Sequence, residues 1–159
     1  IPLDVEVLCV DPETGNSCRF DLIAEIPEDV AIRRNVSAGV VAVDHKTAYR
    51  LDVGATEGWY MHGELIGQMY LWKRAGFDEK YGPLAANVAN VVAKTKIVSF
   101  HREFVTPPDW FIEEQGRVLD INEAQVKLYE AMGYFPRFLS QCYGNKYGPC
   151  DYVERCKEK

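Results

Sequence analysis

Residues 39–47 read Gly-Val-Val-Ala-Val-Asp-His-Lys-Thr, an apolar run that passes directly into charge. The start of the run does not alternate with polar residues, so it suits a strand buried on both faces. A strand of that kind needs a sheet with other layers packed against it. The flanking sequence supplies them. Residues 3–10 and 18–26 read as two strands, and the turn formers of Asp11–Asn16 between them predict a hairpin. Residues 27–38 are polar and contain Pro27, which predicts a loop. Residues 57–75 predict a helix, because Met61, Leu65, Met69 and Trp72 recur at spacings of three and four, with Gly76 as its stop. Residues 84–94 and 96–105 read as two further strands, the second broken by Pro107 and Pro108. A last helix is expected from Asp120, where Asp120 and Glu123 resemble a capping box. Ile121, Ala124, Leu128 and Met132 would form its buried stripe and Gly133 its C-terminal cap. Strands, helix, strands, helix define an α/β fold: a sheet flanked by helices.

The chain has 159 residues, 47% of them apolar. A chain of this size buries roughly 70% of its unfolded surface, enough for a core without disulfides. One domain over residues 1–159 is expected, ending in a cysteine-bearing segment at 134–159. No apolar run approaches the roughly 20 residues that cross a bilayer. Ile1-Pro2-Leu3-Asp4 lacks the basic start and apolar stretch of a secretory signal. Eighteen Lys and Arg against 24 Asp and Glu give a net charge of -6. That balance excludes a broad basic surface for nucleic acid, so contact with a polyanion needs a local basic strip or a bound cation. Five cysteines, an odd number, suit a reducing, cytoplasmic setting. The chain has no P-loop, G-x-S-x-G or G-x-G-x-x-G, which argues against nucleotide-driven motors, α/β-hydrolases and dinucleotide enzymes.

Side chains alternate along a strand, so Asp44 and Lys46 share a face while His45 points away. Asp21, in Arg19-Phe20-Asp21-Leu22-Ile23, is a carboxylate set among apolar residues. If its strand neighbours the Asp44 strand, the two carboxylates converge. Close carboxylates repel and favour a shared cation, and oxygen donors with open water positions suit Mg²⁺ or Mn²⁺. Such an ion polarises a phosphodiester and activates water, while an adjacent lysine positions that water or balances charge. The D-x-K tripeptide alone is common, and taken by itself a surface Asp–Lys pair at a strand end is the better explanation.

The run Arg19–Ile26, then Gly39–Thr47, then Ile66–Trp72 resembles the PD-(D/E)xK nucleases of the RecB type, which include phage and CRISPR-associated exonucleases and the nuclease domains of AddB and RecB. Asp21 matches the family's first Asp, with Cys18 where glycine is usual. Asp44-His45-Lys46 matches its D/E-x-K element, and Gln68 the glutamine of its Q-x-x-x-Y helix, with Trp72 in place of Tyr. The resemblance implies a restriction-endonuclease-like mixed sheet. It implies metal held by Asp21, Asp44 and the backbone carbonyl of His45, with Lys46 assisting the attacking water. Gln68 would orient water or phosphate, and Trp72 either stacks on a base or packs in the core. Family members also carry an upstream metal-binding helix, which nothing before Asp21 resembles; Glu6 is on a predicted strand. Either that helix is upstream of Ile1 in a longer chain, or the site is incomplete here.

Arg33-Arg34, Lys73-Arg74, Lys94-Thr95-Lys96 and His101-Arg102 are the basic clusters. Lys94 and Lys96 are candidates for phosphate contact or for a protected edge strand. Cys142, Cys150 and Cys156 are grouped among Gly and Pro turns. In some RecB-like nucleases three C-terminal cysteines and one upstream hold a 4Fe–4S cluster, and the resemblance extends that expectation here; zinc and no metal are the alternatives. The expected function is a metal-dependent DNA nuclease, acting as an exonuclease on single strands or duplex ends in recombination, repair or phage DNA processing, with protein partners of such a complex. The alternative is a catalytically silent nucleic-acid-binding or assembly module with the same fold.

Overall fold

In the computed structural model, which describes residues 1–48, 51, 58–94 and 98–134, the valine-rich segment forms the middle strand of a sheet. The strands are β1 (Pro2–Val10), β2 (Ser17–Ile26), β3 (Gly39–Ala48), β4 (Leu84–Lys94) and β5 (Val98–Val105), side by side in that order. β3 and β4 run parallel and the other three pairs antiparallel, so the sheet is mixed. The β1–β2 hairpin turns where the Asp11–Asn16 run predicts. Gly15 takes a φ of 80°, and buried Asp11 accepts from the Glu13 N–H and the Thr14 hydroxyl. A parallel pair needs a crossover. Between β3 and β4 lie a 3-10 turn (Gly58–Met61), helix α2 (Gly63–Arg74) and the short α3 (Phe77–Tyr81).

Several boundaries differ from those the sequence predicts. The expected loop at 27–38 contains helix α1 (Glu28–Arg34). Its first turn carries Glu28 and Asp29 and its last Arg33 and Arg34, charges that complement the helix dipole. The helix expected over 57–75 is split, and its α-helical part starts at Gly63; Gly76, at a φ of 72°, follows its C-cap Ala75. The described part of the last strand is Val98–Val105, inside the expected 96–105. The final helix, α4 (Asp109–Met132), starts directly after Pro107-Pro108, not at Asp120. The apparent capping box is therefore mid-helix: Asp120 accepts from the Tyr70 hydroxyl at 3.2 Å and Glu123 pairs with Lys127. Ile121, Ala124, Leu128 and Met132 are exposed instead of forming a buried stripe. The buried residues of α4 are Ile112 and Gly116. Gly116 is a packing requirement, because a Cβ there would lie 2.2 Å from Tyr70 Cε2.

The sheet has two different faces. On one, Phe20, Ile23 and Ala42 pack under Leu71 and Trp72 of α2. Trp72 is fully buried; its ring meets Phe20 and Phe77 edge-on, and its Nε1–H donates to the Gly82 carbonyl at 3.2 Å. On the other face, Val41, Val43, Ala86 and Val88 join Leu22, Ala24 and Phe104. All of these but Ala86 line a shallow apolar groove of about 350 Å³. The chain divides into two compact units, Ile1–Asp120, which holds the sheet, and Ile121–Lys159, whose described part is the second half of α4. Among the described residues no helix is long and apolar enough to cross a membrane.

Candidate active site at the ends of the central strands

The β2–β3 ladder runs from Ile26 opposite Gly39 to Leu22 opposite Val43. The ladder stops there, one residue short of Asp21 and Asp44. Ala42 lies under α2, and alternation along β3 puts Asp44 on that same face. The Asp21 carboxylate reaches β3: its Oδ2 accepts the His45 backbone N–H at 2.7 Å. β2 breaks its alternation at this point. Phe20 and Ile23, three residues apart, both pack under α2. Opposite the break, between the Val5–Leu22 and Val7–Phe20 pairs, Glu6 has a φ of 53°. Irregular strands re-aim side chains, and here the re-aimed residue is Asp21.

Asp44 is buried at the centre of a connected polar network. Its Oδ2 accepts from Gln68 Nε2 at 3.1 Å and pairs with Lys46 Nζ at 3.0 Å. Lys46 Nζ also donates to Glu64 Oε1 at 2.9 Å. Glu64 and Gln68 are four residues apart on α2, so both project toward the strand end. Gln68 Oε1 accepts in turn from Asn87 Nδ2 at 2.7 Å, and that amide also donates to the Leu65 carbonyl at 3.0 Å. Burial pulls the Lys46 pKa down, but the hydrogen bonds and charges of Glu64 and Asp44 outweigh it and raise the pKa above the ordinary lysine value. Lys46 is therefore an ammonium at neutral pH, a holder of charge and a hydrogen-bond donor rather than a base. Sequence reasoning missed Glu64 and Asn87. Their signals were the i, i+4 spacing to Gln68 and an amide inside the apolar run Leu84–Val91.

The donor chemistry fits a hard divalent ion. Asp44 and Asp21, whose carboxylate reaches the backbone beside Asp44, are oxygen donors, and Mg²⁺ commonly takes one or two carboxylates and keeps several waters. Among the described residues no group of three or more His, Cys, Asp or Glu is arranged to hold a metal by itself. A cavity of about 300 Å³ beside the network is lined by Cys18, Arg19, Glu64, Gln68, Leu71 and Leu119, among others.

His45 turns to the open face, as alternation requires. It pairs with Asn90 of β4, which pairs with Arg102 of β5. Arg102 Nε and Nη2 donate to Asn90 Oδ1 at 3.3 and 3.1 Å. Arginine only donates, so the Asn90 amide presents its Nδ2 to His45 Nδ1, 2.9 Å away. His45 then accepts at Nδ1 and carries its proton on Nε2.

Trp72, a candidate for base stacking, is fully buried and its ring serves the core. The Lys94 side chain, Lys96, Cys142, Cys150 and Cys156 lie outside the described residues. Of the basic clusters, Lys73 pairs with Asp109 at 3.1 Å, Arg74 with Asp11 and Glu13 at 3.2 and 2.6 Å, and Arg33 with Asp29 at 2.8 Å. Glu6 pairs with Arg19 at 3.1 Å. No protein-family model matches the chain, and no curated protein matches it.

Proposed function

We propose that this protein is a Mg²⁺- or Mn²⁺-dependent DNA nuclease of the RecB-like PD-(D/E)xK kind, an exonuclease acting in recombination, repair or phage DNA processing. The observation that carries the reading is the strand end itself. Asp44 and Lys46 are 3.0 Å apart on a covered face, and the Asp21 carboxylate reaches the same strand, accepting the His45 N–H at 2.7 Å. Asp21 and Asp44 would hold the ion, which when bound supplies Lewis-acid activation of water and phosphate. Lys46, kept cationic by Glu64 and Asp44, donates toward the phosphate or the attacking water. Gln68, fixed by Asn87, holds the Asp44 carboxylate in its orientation. A 4Fe–4S cluster on Cys142, Cys150 and Cys156 belongs to the same proposal and predicts a brown protein after anaerobic purification.

A second reading draws on the same network. Asp44 is already matched by Lys46 and Gln68, and Asp21 by the His45 N–H, as in a silent nucleic-acid-binding module that keeps the fold for shape alone. Linear DNA and a Mn²⁺ titration separate the two. The nuclease cuts with Mn²⁺ present, and Asp44→Ala and Lys46→Ala each abolish cutting while circular dichroism stays unchanged. Undiminished cleavage by both variants refutes the nuclease assignment, and a wild-type protein that neither binds Mn²⁺ nor cuts is the silent module.

A further inference from the structure

We propose that Cys9 and Cys18 are a site of reversible disulfide formation, taking a small disulfide oxidant of the glutathione class. The two residues are direct partners in the β1–β2 ladder. Partners on antiparallel strands have Cα atoms about 4.5–5.5 Å apart, within the roughly 4.4–6.8 Å span of a disulfide. Both side chains lie on the same face: Cys9 belongs to the cluster of Phe20, Ile23 and Trp72, and Cys18 packs against that cluster. Both are free thiols. Among the described residues β1 is an edge strand, paired with β2 alone, so it can adjust to close the bond.

The electrostatics agree with two sulfurs in contact. A hydrogen bond between the thiols lowers the pKa of Cys9. The same bond, burial and the nearby charges of Asp44 and Glu64 push Cys18 up. The pair therefore releases one proton more readily than two. Access is one-sided. Cys9 is fully buried with its Sγ donating to the Leu71 carbonyl at 3.5 Å, while Cys18 is half-buried and lines the cavity shared with Glu64 and Gln68.

The oxidant therefore meets Cys18 first. The pair gives its one readily lost proton to solvent, the remaining thiol proton resides on Cys9 across their hydrogen bond, and the Cys18 thiolate attacks one sulfur of glutathione disulfide; the S–S bond breaks and one glutathione leaves as thiolate. Cys9 then loses its proton, attacks Cys18 Sγ and expels the second glutathione. The thiolates take up the two protons, so the protein dithiol loses two electrons and glutathione disulfide becomes two glutathione thiols. The new bond ties β1 to β2 three residues before Asp21, beside the break in strand alternation. This inference stands on the hairpin geometry and does not rest on the nuclease reading.

The test uses the full chain under native conditions. It is treated with oxidised glutathione, alkylated, and cut with a protease specific for glutamate. Cleavage after Glu6, Glu13 and Glu25 separates Cys9, in peptide 7–13, from Cys18, in peptide 14–25. The expected result is one linked species of these two peptides, lacking two hydrogens and split by dithiothreitol. Recovery of both peptides separately alkylated overturns the proposal. So does a link from either peptide to Cys142, Cys150 or Cys156.

Discussion

Asp44 and His45 are neighbours in sequence, yet they belong to different environments. Asp44 points to the face covered by α2, where buried Gln68 and Asn87 and the more exposed Lys46 and Glu64 connect into one network. His45 points to the open face, where Asn90 and Arg102 form an exposed strip across three strands. One peptide step changes the surroundings from protein interior to water. Hydrogen bonds and ion pairs are worth more where water is absent, and breaking one there leaves its partner unsatisfied. The same kind of substitution should therefore act strongly on one face and weakly on the other.

The largest effect expected is at the covered face's own packing. Trp72→Ala removes a fully buried ring and the donor to Gly82, and should lower stability by about 3–5 kcal/mol in urea denaturation. A loss under about 1 kcal/mol would mean that α2 is not clamped to the sheet, and the contrast between faces would fail. Next is Lys46→Met, which leaves Asp44 buried without its cation. It should cost about 1–3 kcal/mol at neutral pH. The sign with pH is fixed by the raised pKa of Lys46. Its contribution is complete below the unfolded lysine value of about 10.4 and is lost as pH rises through the higher folded value. The difference between wild type and Lys46→Met should thus shrink in alkaline urea titrations and stay constant from neutral pH up to that range. The smallest effect is on the open face. His45→Ala and Arg102→Ala should each change stability by no more than about 0.5 kcal/mol; a larger cost would show that the strip is structural.

The parts of the molecule that the sequence reveals are those governed by short-range rules. The period of two places Asp44 and Lys46 on one face and His45 on the other, and the Asp11–Asn16 turn and the stop at Gly76 follow from local backbone chemistry. The α1 helix was hidden because Pro27 and a polar composition read as loop, although acidic residues at its start and Arg33-Arg34 at its end were the compensating signal. The start of α4 was misplaced because Asp120 and Glu123 imitate a cap, while the true start follows Pro107-Pro108 and the tight contact of Gly116 with Tyr70 is invisible without coordinates. Within the candidate site, Glu64 and Asn87 escaped notice because what joins them to Asp44 is a chain of tertiary hydrogen bonds. The break in alternation at Asp21 escaped for the same reason: it shows only in the packing of Phe20 and Ile23 and in the positive φ of Glu6 on the neighbouring strand.

The parallel pairing of β3 with β4 also fixes when this arrangement can exist. Asp44 lies beside Ala89 in the ladder, and Gln68 rests on Asn87, so two of the three segments that hold the carboxylate are made well after it. On a translating ribosome the chain exposes Asp44 and Lys46 before α2 and β4 have emerged. During synthesis the charged strand end is therefore bathed in water, and it becomes enclosed only once the crossover has closed.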